Sequence, residues 1–295
     1  MINNILVTGG SGFVGSELCK QLTLKGYQVA ILTRKKKSIS IMQYIWDIDS
    51  DWIDPKAIDF ADAIIHLAGE NISSKRWTEK QKIKILDSRL RSTELLYSAI
   101  ANSSIKPKLI ISASAVGYYG NSTSEEIFTE ESLQGIDFLA KTVAKWENSM
   151  SSFKELKIRT VIFRMGVVIS PKGGALKKML IPVKFGLVNP VGSGNQYMPW
   201  ISLNDLIRIF IFAIENENTN GLFNAVNPLH LTNRDLMTQI ASIKNKAFIP
   251  IGVPSIILKL LFGKMSSVIL QGSRVSSSKI TKSGFSFSDG IRDVF

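Results

Sequence analysis

Short apolar runs alternate with helix-like patterns along the first 165 residues. The apolar runs predict five strands, at residues 4–8, 28–33, 63–67, 109–112 and 159–163. Apolar positions with helical spacing predict helices between them, at residues 12–25, about 78–101 and 138–152. Strands that alternate with helices are typical of βαβ units around a parallel sheet. The predicted fold class is therefore α/β, with a doubly wound parallel sheet that binds ligands at the carboxyl ends of its strands.

The pattern loosens after residue 164, and glycines and prolines cluster between residues 171 and 199. Beyond them the sequence predicts a helix at 203–215, a strand at 221–226 and a helix at 232–243, with Thr232 as the N-cap of that last helix and Asp235 at its third position. Two short helical runs follow. These features predict a smaller C-terminal substrate lobe. We divide the chain into a first domain, residues 1–225, and a small helical module, residues 248–295, which contributes to that lobe.

Composition limits the class of protein. The chain has 295 residues, of which 45% are hydrophobic, so it can bury a sizeable core. Its most apolar later stretches, 207–214 and 256–262, are far shorter than a bilayer requires. We expect no secretory signal, because the first strand follows no basic region with a small-residue cleavage site. The single cysteine, Cys19, fits a reducing compartment. We expect a globular cytoplasmic protein without a membrane partner.

The net charge of +12 invites a nucleic-acid function. The lysines are scattered, however, and no zinc-finger, RRM-like or helix-turn-helix signature accompanies them. We therefore expect no nucleic-acid partner, and a basic surface that favours anionic small molecules is the milder inference. The expected partner is a small-molecule substrate, and the sequence leaves monomer and homodimer open.

A glycine-rich motif lies directly between the first predicted strand and the first predicted helix. After Thr8 it consists of Gly9, Gly10, Ser11, Gly12, Phe13, Val14 and Gly15. Glycines permit the tight turn, let the backbone approach a pyrophosphate and let the helix pack on the strand. The helix N-terminus offers free N–H groups and a positive dipole to phosphates. The motif therefore predicts a Rossmann-type dinucleotide-binding unit, with these seven residues as cofactor contacts.

The end of the second predicted strand bears on which dinucleotide binds. Units that prefer NAD usually offer an acidic side chain there for the ribose 2′-hydroxyl. This chain has Thr33 and Arg34, followed by three lysines that can equally form a solvated loop. A guanidinium suits a 2′-phosphate, so NADP(H) is the preferred cofactor and NAD(H) the alternative. Asp47 is either a contact for the adenine edge or a turn cap.

Further motifs follow in order. They are residues 65–71 (IHLAGEN), 88–90 (SRL), 112–120 (SASAVGYYG), 138–140 (FLA) with 146–147 (WE), 164–168 (RMGVV) and 198–201 (MPWI). Together with the glycine motif they resemble the epimerase-like family of extended short-chain dehydrogenases/reductases, of the NAD-dependent epimerase/dehydratase type. That family has largely unassigned activities and includes proteins once labelled cell-division inhibitors. The resemblance covers essentially the whole chain, including a C-terminal module of unknown function from about residue 248.

The resemblance implies cofactor contacts at the matching positions. Thr33 and Arg34 would meet the adenosine phosphate. The other implied contacts are Leu67, Ala68, Gly69, Lys84, Arg89 and Val167. For Leu67, ordinary core packing remains an alternative role of the side chain.

Catalytic residues are where the chain departs from the wider superfamily, which uses a Ser, a Tyr and a Lys four residues after the Tyr. Ser114 matches the serine, but Leu139 and Val143 stand at the other two positions when Glu147 is aligned. None of the six tyrosines has a lysine four residues later. The candidate catalytic residues are therefore Ser114, to polarise a substrate oxygen, and Tyr118, as a substitute acid/base.

The expected substrate contacts are Glu70, Trp77, Tyr119 and Trp200. Tyr119 and Glu70 are also alternative acid/base groups. Purely structural roles remain alternatives. Both tyrosines could line the nicotinamide pocket, Glu70 could cap a loop or helix, and Trp77 could only pack in the core near the helix start. His66 lies in a predicted strand and is expected to be buried and hydrogen-bonded. One cysteine and no His/carboxylate cluster predict no metal site.

Two functions are compatible with these residues. The first is an NADP-dependent oxidoreductase or nucleotide-sugar-epimerase-like enzyme for a small carbonyl or sugar-type substrate. The second is an NADP-binding regulatory or interaction protein with little or no catalysis. The intact second lobe favours the first, and the departure from the Tyr/Lys pattern favours the second.

Overall fold

A computed structural model gives the structure of residues 1–288 and 290–295, without the side chains of residues 175 and 178. The strands are β1 (Asn4–Thr8), β2 (Gln28–Thr33), β3 (Met42–Asp47), β4 (Trp52–Ile53), β5 (Ala63–His66), β6 (Leu109–Ala115), β7 (Ile127–Phe128), β8 (Arg159–Met165), β9 (Val167–Ser170), β10 (Trp200–Ser202), β11 (Gly221–Ala225) and β12 (Arg274–Val275). The helices are α1 (Phe13–Leu24), α2 (Pro55–Phe60), α3 (Glu79–Asn102), α4 (Phe138–Ser151), α5 (Gly174–Lys184), α6 (Leu203–Glu215), α7 (Asn233–Ile243), α8 (Ser255–Phe262), α9 (Ser266–Leu270) and α10 (Ser278–Lys282).

The described strands form one eight-stranded sheet in the order β11-β8-β6-β5-β1-β2-β3-β4. All neighbours in it are parallel except β3 and β4. The chain runs outward in one direction from β1 to β4, and then returns to β5 on the other side of β1. Ligands bind at this reversal point in doubly wound sheets, outside the carboxyl ends of the strands. The α/β, Rossmann-type fold class predicted from the sequence is confirmed.

Apolar side chains cover both faces of the sheet, as a parallel sheet requires. One face carries α1 and α6, with Leu18, Phe210 and Phe163 fully buried in its cluster. The other face carries α2, α3 and α4, with Leu96 and Trp146 buried. The sheet is thus held between two helical layers, and its strand ends remain at the edges, where loops can form a site.

The predicted helices agree with the observed ones to within one or two residues, and their caps show why. Thr78 accepts a hydrogen bond from the Gln81 N–H at the start of α3. Thr232 and Asp235 form the reciprocal capping box that starts α7.

Two strands, β6 and β8, run further than predicted, to Ala115 and Met165. Both carry polar residues near their ends, Ser114 and Arg164, and these interrupt the apolar run in the sequence although they are buried.

Several elements lie where the sequence pattern predicts none. They are β3, β4, α2, β7, β9, α5, β10 and β12. β3 starts at the exposed Met42 near the edge of the sheet, so its alternation of apolar and polar residues is weak. α5 contains Pro182 and starts at Gly174, and both residues normally argue against a helix interior. Local propensity is overridden here by packing, because Leu176 and Val183 are buried against the second lobe.

The second lobe is built on β9 and β10, with α5 and α7 around them. The C-terminal residues do not stay within it. β12 pairs with β7, and Ile280 and Phe285 join the cluster under α6 in the first domain. Among the described residues, no helix combines the length and the apolar character needed to cross a membrane.

Candidate cofactor and substrate site

The glycine turn after β1 leaves no space for side chains at three positions. Gly9 has φ of +68°, and a Cβ on it would lie 2.9 Å from the carbonyl of Leu67. A Cβ on Gly10 would lie 2.4 Å from Cγ2 of Ile31, and one on Gly15 would lie 2.3 Å from the Gly9 oxygen. The turn is therefore tight against β5, against β2 and against its own helix. These are the three close approaches that a dinucleotide-binding turn requires.

The N-terminus of α1 is suited to a phosphate. Gly12 is its N-cap, no side chain caps it, and its first turn contains no acidic residue. Ser11 and Gly12 are exposed, so the backbone at the turn is accessible. The N–H groups and the helix dipole together favour an anion at this end. The residues present thus fit the pyrophosphate of a dinucleotide.

Thr8 connects the glycine turn to the end of β5. Its hydroxyl oxygen accepts hydrogen bonds from the N–H groups of Leu67 and Ala68, both at 3.1 Å. Its proton is therefore directed to Nδ1 of His66, 2.8 Å away. Nε2 of His66 then carries the ring proton and lies 3.3 Å from the hydroxyls of Ser92 and Thr93. His66 is completely buried, as predicted, and burial together with the charge of Arg89 lowers its pKa to about 3.

The residues expected at the adenosine end lie just past the carboxyl end of β2. Arg34 is exposed, and the Thr33 hydroxyl donates to the Lys35 carbonyl. Asp47, at the end of β3, is exposed and accepts from the Asp49 N–H at 2.9 Å, which is the turn-cap geometry. Hydrogen bonds within this turn lower the pKa of Asp47. Arg34 is thus accessible to a phosphate, whereas Asp47 already holds a turn.

A polar cluster follows the end of β5. A Cβ on Gly69 would lie 3.2 Å from Cζ of Arg89, whose guanidinium donates to the carbonyls of Glu70 and Ile85. Burial lowers the pKa of Arg89 to about 10. The carboxylate of Glu70 accepts from the Gln81 amide at 3.3 Å and lies 3.7 Å from Nζ of Lys84. The structure therefore brings Leu67, Ala68, Gly69, Glu70, Lys84 and Arg89 together beside the glycine turn.

A buried ion pair connects the ends of β6 and β8 to α4. Arg164 donates through Nε and Nη2 to the two carboxylate oxygens of Glu147, at 2.8 and 2.7 Å. Ser114 donates to the same carboxylate at 2.5 Å. Burial alone would lower the pKa of Arg164, but its hydrogen bonds and charge interaction with Glu147 outweigh burial and raise it. The Ser114 hydroxyl is thus committed to Glu147 in this conformation.

The two adjacent tyrosines have different environments. The Tyr119 hydroxyl is buried, donates to Asn224 at 2.7 Å and accepts from Arg164 at 3.0 Å. Burial raises the pKa of Tyr119 to about 12. Tyr118 is half-buried, and the Arg164 guanidinium lies over its ring, 3.3 Å from the centroid. No group among the described residues hydrogen-bonds the Tyr118 hydroxyl, so this phenol is the one available to a ligand.

Leu139 and Val143 face the loop that carries these tyrosines. Both are buried on the first turns of α4. A Cβ on Gly117 would lie 3.6 Å from Cβ of Leu139 and 3.9 Å from Cγ2 of Val143. Packed aliphatic groups therefore lie where the sequence analysis expects the acid/base pair.

The other expected ligand contacts lie at varying depth. The Trp77 indole is buried, donates to the Ile72 carbonyl and meets Phe138 edge-on. Trp200 is fully buried, and its N–H donates to the Leu229 carbonyl. Val167 is half-buried in β9 and pairs with Trp200 of β10. The two indole N–H groups are already used, so Trp77 could offer a ligand only its small exposed apolar area, and the fully buried Trp200 could only support a pocket wall from behind.

Glu147 and Arg164 both lie within the sequence motifs, but the sequence predicts no catalytic or binding role for either. It also predicts no role for a second cluster, in which Arg274 donates to Nδ1 of His230 at 2.8 Å and lies 3.4 Å from Glu125. For the first pair, the only signal would have been an Arg and a Glu that are 17 residues apart and both fall in buried elements. A single charged side chain is strongly unfavourable in a core, so two of opposite charge are expected to pair.

Across residues 1–288 and 290–295, no three His, Cys, Asp or Glu side chains are grouped so that they could hold a metal ion.

Comparison with family models gives two matches. Residues 5–227 match the NAD dependent epimerase/dehydratase family. Residues 253–289 match a domain of unknown function, DUF1731. Both agree with the resemblance inferred from the motifs, which is confirmed.

Individual relatives match over nearly their whole length. An epimerase family protein of Mycobacterium bovis is 35% identical over 284 residues, which are 96% of this chain and 93% of the relative. The crystal structure of human epimerase family protein SDR39U1 (isoform 2) with NADPH has a TM-score of 0.86 at 32% identity, covering 99% of this chain and 97% of the human one. UDP-glucuronic acid 4-epimerase from Bacillus cereus, with UDP-glucuronic acid and NAD, has a TM-score of 0.79 at 20% identity over 99% and 96% of the two chains, and shares the fold.

The buried His66 predicts a specific pH dependence of stability. Its folded-state pKa of about 3 lies below the ordinary 6.5, so only the unfolded chain takes up a proton as the pH falls below 6.5. The contribution is therefore fully present above pH 6.5 and is lost on acidification. We expect the free energy of unfolding to fall by about 2 kcal/mol between pH 7 and pH 5 because of this residue.

Urea unfolding of the parent and of His66→Gln at both pH values measures this difference in the free energy of unfolding. The His66→Gln profile should be flatter by this amount, whereas His230→Gln keeps most of the slope. Parallel profiles for the parent and His66→Gln would contradict the assignment.

The Glu147–Arg164 pair predicts a large effect of a nearly isosteric substitution. Glu147→Gln leaves the Arg164 guanidinium buried without a counter-charge. Breaking a buried pair in this way costs about 3 to 5 kcal/mol. Glu155→Gln, an exposed carboxylate near Tyr97, is the control and should change stability little. Equal unfolding free energies for the two variants would show that the pair is not the support described here.

Proposed function

Because the chain belongs to the NAD-dependent epimerase/dehydratase family, we propose that it is an NADP(H)-dependent oxidoreductase or nucleotide-sugar-epimerase-like enzyme for a small carbonyl or sugar-type substrate. One observation carries the proposal. The half-buried Tyr118 has an unengaged hydroxyl at the carboxyl end of the central strands, and a buried cation fixes its ring. This is where a doubly wound sheet holds its ligands, and a phenol there can exchange a proton with a bound substrate.

The cofactor would lie across the reversal point between β1 and β5. Gly9, Gly10, Ser11, Gly12, Phe13, Val14 and Gly15 would hold its pyrophosphate, and Thr33 and Arg34 its 2′-phosphate. Leu67, Ala68, Gly69, Lys84, Arg89 and Val167 would line the remaining length. The human relative was solved with NADPH and the Bacillus cereus epimerase with NAD. The exposed Arg34, with no acidic residue at the end of β2, supports NADP(H) over NAD(H) for this chain.

The chain's own residues would handle the proton. When bound, the nicotinamide supplies or accepts a hydride. Tyr118 would give its phenolic proton to the substrate oxygen during reduction and take it back in the reverse direction. Ser114 would polarise that oxygen, but only by exchanging its hydrogen bond to Glu147 for one to the substrate. Arg164 would keep Tyr118 in place through the contact with the ring face.

The substrate would lie between the loops after β5 and β6 and the second lobe. Glu70 offers a carboxylate to sugar hydroxyls, and Tyr119, Trp77 and Trp200 support the walls. In this arrangement residues 1–225 would hold the cofactor and, through β9, β10 and α5, supply part of the second lobe, and the helical module at residues 248–295 would add to the substrate side. Monomer and homodimer remain equally compatible with the proposal.

A different class of function has its own supporting observation. Leu139 and Val143 pack against Gly117 where the wider superfamily places its acid/base pair. A chain that keeps the phosphate turn but fills this position with aliphatic groups could bind NADP(H) for regulation or for interaction with another protein. Such a protein would bind the cofactor tightly without transferring hydride.

Cofactor selectivity is tested by Arg34→Ala. Loss of a charge-assisted contact to the 2′-phosphate should weaken NADPH binding about tenfold or more and leave NADH binding nearly unchanged. Calorimetric titration of the parent and the variant with each cofactor measures both values. Lys25→Ala, a surface lysine paired with Glu215 after α1, is the control. Equal weakening for NADPH and NADH would remove the 2′-phosphate role from Arg34.

Catalysis is tested by Tyr118→Phe. We expect turnover with at least one member of a substrate panel: NADPH oxidation with a small aldehyde or ketone, or NADP+ reduction or epimerisation with UDP-glucose or UDP-glucuronic acid. Tyr118→Phe should then lower kcat about a hundredfold with little change in KM, since only the proton donor is lost. Tyr97→Phe on α3 is the matched control. Ser114→Ala should lower kcat as well, and its unfolding free energy must be measured because it also loses the bond to Glu147. No turnover by the parent across the panel, with NADPH bound tightly, would select the regulatory alternative.

A further inference from the structure

The positive charge of the chain is concentrated in two segments. Residues 171–200 contain four lysines and no acidic residue, and residues 236–288 contain six lysines, one arginine and no acidic residue. The remaining residues contain 25 basic and 24 acidic side chains, so they are almost neutral. Nearly all of the net charge of +12 therefore belongs to the second lobe and the C-terminal residues.

The same two segments carry large apolar side chains that are exposed. In the first segment they are Ile181, Phe185 and Leu187, and in the second they are Ile251, Ile256, Ile257, Leu260 and Leu261. Phe185 and Leu260 are 79% and 72% exposed. A monomeric protein rarely leaves contiguous apolar surface uncovered, and such surface marks an interaction site.

Backbone pairing brings the two segments together. Val188 forms a parallel bridge with Phe248, and Val191 forms one with Val253. The side-chain amide of Asn189 donates to the Ile251 carbonyl at 2.9 Å. The end of α5 thus lies beside the residues that lead into α8. We call the exposed apolar residues of both segments, with Lys184 and Lys259, the basic apolar face.

α8 presents an apolar stripe rather than an isolated side chain. Its exposed apolar residues are at positions 256, 257, 260 and 261, which cover about 140° of the helix surface. Leu258 points inward and is buried, and Lys259 is exposed next to the stripe. A helix with an outward apolar stripe and a lysine at its border has the composition of one that lies in a lipid headgroup region.

We propose that the basic apolar face docks on an anionic lipid surface, with α8 lying in the headgroup region and the lysines above it. Lipid provides both properties that the face needs, since phosphate headgroups complement the lysines and acyl chains accept Ile, Leu and Phe. A nucleic acid would match the charge but would gain nothing from a row of exposed aliphatic groups. The proposal replaces the sequence-based expectation that the protein has no membrane partner, and it does not depend on the proposed enzyme activity.

The face is also connected to both loops that border the cofactor site. α5 starts at Gly174, and Cβ atoms on Gly173 and Gly174 would lie 2.7 and 3.1 Å from the ring of Phe13 in the glycine motif. Arg76, in the loop after β5, donates to the Leu260 carbonyl at 2.7 Å. Docking would therefore place the substrate side of the protein next to the lipid surface.

Vesicle flotation tests the proposal on the full chain. The probes are vesicles of phosphatidylcholine alone and of an equimolar mixture with phosphatidylglycerol, each at low and high salt. We expect binding to the mixed vesicles and not to phosphatidylcholine, and weaker binding at high salt. Lys184→Glu with Lys259→Glu should lower the partition coefficient about tenfold or more, and Leu260→Ser with Leu261→Ser should lower it to a similar extent.

Matched pairs on the first domain control for charge and for apolar area. They are Lys141→Glu with Lys145→Glu on α4, and Leu24→Ser with Met42→Ser, all at exposed positions. Both control pairs should bind like the parent. The proposal is overturned if the parent does not bind the mixed vesicles, if a control pair weakens binding as much as the test pairs, or if the Leu260/Leu261 pair has no effect. It is also overturned if a labelled DNA duplex is bound and the Lys184/Lys259 pair affects only that binding.

Discussion

The Thr8 hydroxyl holds together the two strands between which a cofactor would lie. It accepts the N–H groups of Leu67 and Ala68 and donates to His66, so the end of β1 is fixed against the end of β5. His66 completes the connection to α3 through Ser92 and Thr93. With this distance fixed, Gly9 approaches the Leu67 carbonyl so closely that no side chain fits there. The shape of the phosphate turn thus depends on one buried hydroxyl and one buried neutral imidazole.

On the other side of the reversal point, a second buried network fixes the ends of β6 and β8 against α4. Glu147 and Arg164 neutralise each other and take up the hydroxyls of Ser114 and Tyr119. Buried polar groups that are fully paired rigidify a structure, whereas an unpaired one would be costly. Between the two networks, the N-terminus of α1 and the Tyr118 hydroxyl remain available to a ligand. The helix N-terminus can bind a phosphate and the phenol can transfer a proton. A dinucleotide-dependent reaction needs both functions.

The second lobe differs in character from this rigid edge. Its core is small, and together with the C-terminal residues it carries exposed apolar residues and almost all of the excess positive charge. It nevertheless touches the cofactor side through Phe13 and Arg76. A change in the position of this lobe would therefore be transmitted through these two contacts to the loops around the cofactor site.

The sequence by itself determined the features that depend on neighbouring residues: the strand–glycine–helix turn, the capped helices α3 and α7, and the α/β class. These follow from steric and hydrogen-bonding rules that act within a few residues. Tertiary structure decided which distant side chains meet. Arg164 lies over Tyr118, 46 residues earlier, and Ser114 bonds Glu147, 33 residues later, and no local rule predicts either contact. The exposed apolar residues of α5 and α8 are also far apart in the sequence, and only folding places the end of α5 beside the residues that lead into α8. Burial and long-range pairing are properties of the folded chain, so the roles of these residues could be assigned only there.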